Sequence, residues 1–427
     1  MEPEPAVLPF MSTPQLLAPA GSFEHALAAL RSGADALYAA PGPFNLRAGA
    51  GNIDPDDFQD LVDLVHGAGK KLYAVLNALA HDQMMPGIDR LLHKLARCGK
   101  LPDAFIVSDP GVMERCRALC PGVALHLSTQ TGVFNTPAVR FWAQLGVSRI
   151  ILPRELDLSQ IRTITSSGWC ETEIFIHGAM CVAISGRCLL GEYRSGRSAN
   201  RGDCPQPCRV RYRITEISSD TPVSWDAEES EQGAYLLNSR DLETLALLPE
   251  IAATGVHALK IEGRNKSVHY VATVVGVYRQ ALDALASDRT GYTVRQEWRT
   301  ELDRIEHRPY STGFYGERGE QQSSRTGKHP SSVRVVGLVR ELLDDGSAVV
   351  DVRNPFSAQE PLSLLRSGKP AVDDFVVRSP MKDLRGEPAT RAQTNRLVVF
   401  APGHGLRPGD LLRRECAKRE DGDALCV

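Results

Sequence analysis

LLAPAGSFEHALAALRSGADALYAA, residues 16–40, is the stretch on which the fold class turns. Two short apolar runs, residues 16–20 and 36–40, flank FEHALAALRSG, whose apolar positions recur at i, i+3, i+4 and i+7 and which closes on a glycine. That order reads as strand, crossover helix and parallel strand. The same alternation continues outward. Further apolar runs stand at residues 71–77, 104–109, 124–128, 149–154, 171–177 and 258–262, eight in all, with DFQDLVDLVHGAGKK, IDRLLHKLARCG and TPAVRFWAQLG among the helical stretches between them. Eight such units are the count of an α/β TIM-like (β/α)8 barrel.

The seventh and eighth runs are separated by about 80 residues, too many for an ordinary connection. Residues 14–330 are therefore expected to form the barrel, with an insertion at 179–256. Inside it, the acidic, Ser-rich residues 218–233 read as a mobile loop, followed by the strand-like YLLNSRD. The helix at 268–285 is expected to close the barrel, and a polar stretch up to about residue 330 reads as a linker. Residues 331–427 alternate in short strands between Gly, Pro and Asp turns, which predicts a small C-terminal antiparallel β-barrel. Residues 1–13 open with MEPEPAVLPF, which has three prolines and no basic residue, so they are expected to be a disordered arm and not an export signal.

A chain of 427 residues with 42% hydrophobic and 24% charged side chains has the composition of a soluble globular protein. No run of about 18 uncharged apolar residues occurs, which speaks against a membrane span. A cytoplasmic location is expected, and there clustered cysteines point to metal or redox chemistry before disulfides. The net charge of -3 gives no general case for nucleic acid. Residues 179–214 are the local exception, with seven arginines against two acids. Arg194, Arg197 and Arg201 are the candidates for gripping RNA phosphates.

The same stretch carries Cys181, Cys188, Cys204 and Cys208 at spacing C-x6-C-x15-C-x3-C. Four thiolates suit an iron-sulfur cluster or zinc; structural zinc favours two tight C-x2–4-C pairs, whereas wider loops are common around a cubane. Four of the ten cysteines fall within 28 residues, against six in the other 399, so an incidental grouping is the weaker reading. Cys116 and Cys120 share a helix face and read as packing, and Cys98, Cys170, Cys416 and Cys426 are isolated.

In a barrel of this kind the active site lies at the carboxyl ends of the strands. The polar residues expected there are Asn77, Asp109, Ser128 with Gln130, Arg154 with Glu155, His177, and the group Lys260, Glu262 and Arg264. His126 points to the same face as Ser128, as either a core or a catalytic residue. His177, His126 and Glu262 are the catalytic candidates. Asn77, Asp109, Gln130 and Lys260 are substrate-binding candidates. Arg47, Arg154 and Arg264 are candidates for clamping a polycarboxylate through bidentate forks.

The run EIFIHGAMCVAISGRC, residues 173–188, resembles the signature of the collagenase-like peptidase family, and SDPGVMERC, LHLSTQTGVFN, ILPREL, YLLNSRDL and HALKIEGRNKS agree with it in one register over residues 15–325. The branch they resemble makes 5-hydroxyuridine at the tRNA wobble position. The resemblance implies a TIM-like barrel, a 4Fe-4S cluster on Cys181, Cys188, Cys204 and Cys208, and an oxygen-independent hydroxylation that depends on prephenate. It makes the tRNA anticodon loop the partner and leaves room for an electron or sulfur-cluster donor. Two features depart from the branch: the acidic loop is short, and the C-terminal pattern N-x-F-x-x-G reads NPFSAQEPL, without its glycine. The alternatives are a hydroxylase of rRNA cytidine or of a quinone precursor, a peptidase, or a non-catalytic zinc-containing RNA-binding protein. No H-E-x-x-H or G-x-S-x-G motif supports the peptidase.

Overall fold

The computed structural model describes residues 13–49, 51–210, 238–316, 330–366, 372–377, 381–418 and 424–425. The arm at 1–12, the acidic loop at 218–233 and much of the expected linker lie outside the described residues. The described residues divide into two compact units, one holding those up to 26, those between 35 and 265 and those from 308 to 316, the other holding 27–34, 266–307 and those from 330 onward.

The first unit is a closed barrel. Its strands are β1 (Gln15–Pro19), β2 (Ala36–Ala39), β3 (Lys71–Leu76), β4 (Ala104–Val107), β5 (Ala124–Leu127), β6 (Arg149–Ile151), β7 (Glu171–Ala179) and, after a short β8 (Asp241–Glu243), β9 (Ala258–Ile261). Each of β1 to β6 pairs in parallel with the next, and β9 pairs in parallel with both β7 and β1. All eight apolar runs are thus barrel strands. Their near-continuous burial is what a sheet covered on both faces requires. β8 runs antiparallel to the end of β7, setting Glu243 opposite His177, and β10 (Tyr310–Ser311) pairs in parallel with β8.

The crossover helices bury the expected stripes. Phe58, Leu61, Val62 and Val65 do so on Phe58–Gly67, and Ile88, Leu91, Leu92 and Leu95 on Met85–Arg97. At Leu158–Thr165 a capping box of Asp157 and Gln160 fixes the helix start shortly past the end of β6.

The second unit holds the helix Val268–Ser287, expected from its position in the chain to close the barrel, and a second helix, Gln296–Arg304, inside the expected linker. The apolar period of the latter is hidden because Glu301 shares its buried face with Trp298 and Leu302, and the Glu301 carboxylate accepts from Arg413 at 2.8 Å. Among the described residues, eight strands make one curled antiparallel sheet in which Val333–Leu342 lies between Leu411–Glu415 and Ala348–Val352. Its core includes Val336, Val350, Phe356, Leu364 and Phe400. The departure in NPFSAQEPL has a geometric counterpart: Gln359 occupies the position of the missing glycine and adopts φ +67°, the left-handed conformation a glycine takes without cost.

Candidate active site

The carboxyl ends of the barrel strands open into a cavity of about 280 Å3. Tyr38 reaches it from β2, Asn77 from the end of β3, Ser128 and Gln130 from beyond β5, Arg154 and Glu155 from beyond β6, Phe175 from β7, and Lys260, Glu262 and Arg264 from β9 and its sequel. Arg47 joins from the loop after β2, and all four clustered cysteines line the same space.

Glu262 is the electrostatic centre. Its carboxylate lies 3.6 Å from Arg47 and 3.7 Å from Arg154. Burial opposes its ionisation, but Arg47, Arg154, Lys260 and Arg264 outweigh that and hold the carboxyl below its usual range. In turn Glu262 holds Arg47 firmly protonated against burial, with Cys204 and Cys181 close enough to contribute. Arg154 stacks 3.6 Å from the centre of the Phe175 ring, and the Lys260 ammonium sits 4.2 Å from that of Tyr38. Four cations therefore surround one carboxylate, and Glu173, 2.9 Å from Lys260, is a second counter-charge beneath.

Arg264 is placed differently from the expected clamp. Its Nη1 donates to Asn45 Oδ1 at 2.8 Å, and its Nη2 to Asn52 Oδ1 at 2.7 Å and Gly51 O at 3.2 Å. Its fork is thus used to fix the loop that presents Arg47, and burial pushes its pKa down to about 10. Asn77 also organises the rim, its Oδ1 accepting from Leu46 N and its Nδ2 donating to Ser128 Oγ at 3.1 Å.

The cysteine segment wraps this rim through short turns. Asn200 exchanges hydrogen bonds with the backbone of Cys188, and Asn200 O accepts from Leu79 N, tying the segment to the loop after β3. Gly202 adopts φ +95°, and a Cβ there would lie 2.2 Å from Asn45 O, so only glycine allows this approach. Burial pushes the Cys208 thiol up, with Arg209 opposing and Cys181 and Cys204 near enough to add to the rise. Among the described residues no three His, Cys, Asp or Glu side chains converge around a single-ion position. The four free thiols line one cavity and supply the donor set for a metal ion or a cluster.

Besides Arg264 Nε, three residues of the cavity wall carry polar side-chain atoms with no hydrogen-bond partner among the described residues. Both amide atoms of the fully buried Gln130 are open, as are Ser185 Oγ and Glu155 Oε2, while Glu155 Oε1 accepts from Ser185 N at 2.7 Å.

Other expected site residues fall elsewhere. Asp109 is an N-cap, its Oδ1 accepting from Gly111 N and Val112 N at 2.8 and 3.1 Å, which explains an acid directly before Pro110 without a ligand. His126 lies in the barrel interior, edge-on to Tyr73 at 4.6 Å, and burial holds its pKa well below the ordinary value. His177 is buried on β7 with its ring 5.5 Å from Tyr310. Neither histidine is among the residues lining the cavity. In the cysteine segment, Arg197 pairs with Asp203 at 2.6 Å, both half-exposed, and Arg194 and Arg201 are exposed.

Sequence reasoning passes over Glu173, Arg149, Tyr38, Asn45 and Ser185. A signal for Glu173 and Arg149 is present, as charged residues inside apolar barrel strands, where they need partners.

Over residues 21–325 the sequence matches peptidase family U32, and over 331–413 the C-terminal domain of that family. A tRNA hydroxylation protein P1 of Bacillus subtilis is 35% identical over 365 residues, 85% of each chain. A tRNA hydroxylation protein P of Escherichia coli is 32% identical over 435 residues, covering 92% of this chain and 94% of that one. A 23S rRNA 5-hydroxycytidine synthase of Escherichia coli is 37% identical over 287 residues, covering 67% of this chain and 42% of that one.

Proposed function

This chain belongs to peptidase family U32, and from that premise we propose that it hydroxylates the wobble uridine of tRNA to 5-hydroxyuridine in the cytoplasm, using a 4Fe-4S cluster on Cys181, Cys188, Cys204 and Cys208 and prephenate as co-substrate. One observation carries the reading: the four thiols and the cations around Glu262 line a single cavity at the carboxyl ends of the barrel strands. The two tRNA hydroxylation proteins are covered over 85% and 94% of their length, whereas the rRNA enzyme is spanned over less than half.

The donor set suits the cluster, since four free cysteines lie within one glycine-bearing segment that wraps the rim. When bound, a cluster supplies one-electron redox chemistry without molecular oxygen. The chain's own residues do the rest. Arg47 and Arg154 present guanidinium groups to a dicarboxylate, with Glu262 fixing their orientation. Lys260 adds positive charge to the floor, and Arg264 positions the loop that carries Arg47. Arg194, Arg197 and Arg201 serve the phosphates of the anticodon loop, whose bases splay out readily. The hydrolase alternative has less support, because neither cavity serine, Ser128 or Ser185, hydrogen-bonds a histidine among the described residues.

Mass spectrometry of tRNA nucleosides from a strain lacking this chain tests the reading. Loss of 5-hydroxyuridine, restored by the wild-type gene and not by Cys204→Ala, is expected. Unchanged tRNA with altered 23S rRNA hydroxycytidine would transfer the activity to rRNA.

A further inference from the structure

Gln130 stands on the short turn Thr129–Thr131 beyond the end of β5, on the active side of the barrel. It is fully buried, lines the cavity, and has no hydrogen-bond partner for either Oε1 or Nε2 among the described residues. Leaving a buried amide unsatisfied costs free energy, so such a group is retained where a ligand completes it.

Its surroundings narrow the ligand. The turn packs against Ile184–Gly186 of the cysteine segment, where Ser185 adopts φ +51° and is held by Glu155. Ser185 Oγ and Glu155 Oε2 are the other open polar atoms of this wall. A dicarboxylate is drawn to Arg47 and Arg154, whereas a wall carrying a neutral amide, a hydroxyl and a half-satisfied carboxylate favours a neutral ligand with donors and acceptors. A primary amide offers one donor and one acceptor side by side in either orientation. That pair matches the N3–H and O4 of uracil. Phe175 and Phe314 line the same cavity and supply faces for a planar ring.

Building on the tRNA reading above, we propose that Gln130 reads the Watson–Crick edge of the target uracil, accepting from N3–H and donating to O4, and so is a specificity-determining residue of this site.

The test measures binding of anticodon stem-loop RNAs carrying uridine or 3-methyluridine at the wobble position to the anaerobically purified full-length holoprotein. The methyl group removes the N3 donor on the RNA side, so this arm needs no protein variant. Wild type is expected to prefer uridine by roughly tenfold, the worth of about one buried hydrogen bond. Gln130→Leu is expected to remove that preference, and Gln130→Glu, which replaces the amide by an acceptor-only group, to weaken both RNAs. Equal wild-type affinity for the two RNAs, or a preference that survives in Gln130→Leu, overturns the assignment. So does a Gln130→Leu protein that loses prephenate binding alone. A wild type that makes 5-hydroxyuridine in cells yet ignores the methyl group defeats only this inference, whereas one that makes none defeats the tRNA reading itself.

Discussion

Lys260 Nζ donates to Glu173 Oε1 over 2.9 Å, with both side chains withdrawn from solvent inside the barrel. The other carboxylate oxygen of Glu173 lies 3.3 Å from Arg149, so one buried acid balances the cavity floor above and the strand starts below. Breaking a buried pair from one side leaves uncompensated charge, at about 3–5 kcal/mol. Glu173→Ala is therefore expected to lower unfolding free energy by that order in urea, and burial, then opposed by Glu262 alone, to depress the Lys260 pKa further. A change below roughly 1 kcal/mol would mean that water replaces the carboxylate.

Anaerobically purified protein is expected to be brown, with iron and acid-labile sulfide near four each per chain, as about one cubane on four thiolates requires. Cys181→Ala and Cys204→Ala should bleach it. A colourless protein with a single zinc would defeat the cluster.

Arg47 and Arg154 share Glu262 as their counter-ion and face the cavity. Arg154→Lys keeps the charge but loses the planar fork and its stacking on Phe175, which should weaken prephenate binding by on the order of 1.5 to 3 kcal/mol in calorimetry. Arg264→Lys should act indirectly, by loosening the loop held through Asn45 and Asn52. Affinities equal to wild type in Arg47→Lys and Arg154→Lys would leave these arginines as structural partners of Glu262.

Arg197 is held by Asp203 at 2.6 Å at the surface. Replacing Arg194, Arg197 and Arg201 together should weaken tRNA binding and flatten its salt dependence, the slope falling by roughly 0.7 for each phosphate no longer neutralised. Asp203→Asn frees Arg197 and should tighten binding while steepening the salt dependence. An unchanged slope in the triple variant would move the RNA surface away from this segment.

In the second unit, Arg413 Nη1 donates to His269 Nε2 at 3.2 Å, which requires the neutral imidazole. Burial, aided by Arg413 and Arg304, pushes the His269 pKa down to about 3. The unfolded chain therefore takes up a proton that the folded chain refuses. The stability this gives is complete above the ordinary histidine pKa of about 6.5 and is lost as pH falls towards 3, at up to about 1.4 kcal/mol per pH unit. Urea midpoints from about pH 7 to about pH 4 should fall more steeply for wild type than for His269→Gln. Parallel curves would show that His269 does not carry the dependence.

The sequence alone determined the barrel, because burial on both faces writes each parallel strand as a short, nearly unbroken apolar run, and all eight runs became strands. It grouped four thiols within 28 residues in the same local way, and the structure brings all four to one cavity. It missed the helix Gln296–Arg304, since an acid on the buried face erases the apolar period and only the distant Arg413 explains that acid. It also could not separate Asp109, a cap satisfied by its own helix, from Gln130, an amide left open beside a cavity. Nor could it show that Arg264 is committed to Asn45, 219 residues earlier in the chain. Periodicity and clustering are properties of neighbours along the chain. Whether a polar group is satisfied depends on partners that only closure of the barrel brings within hydrogen-bond reach, and that closure decided which polar residues are paired within the fold and which are not.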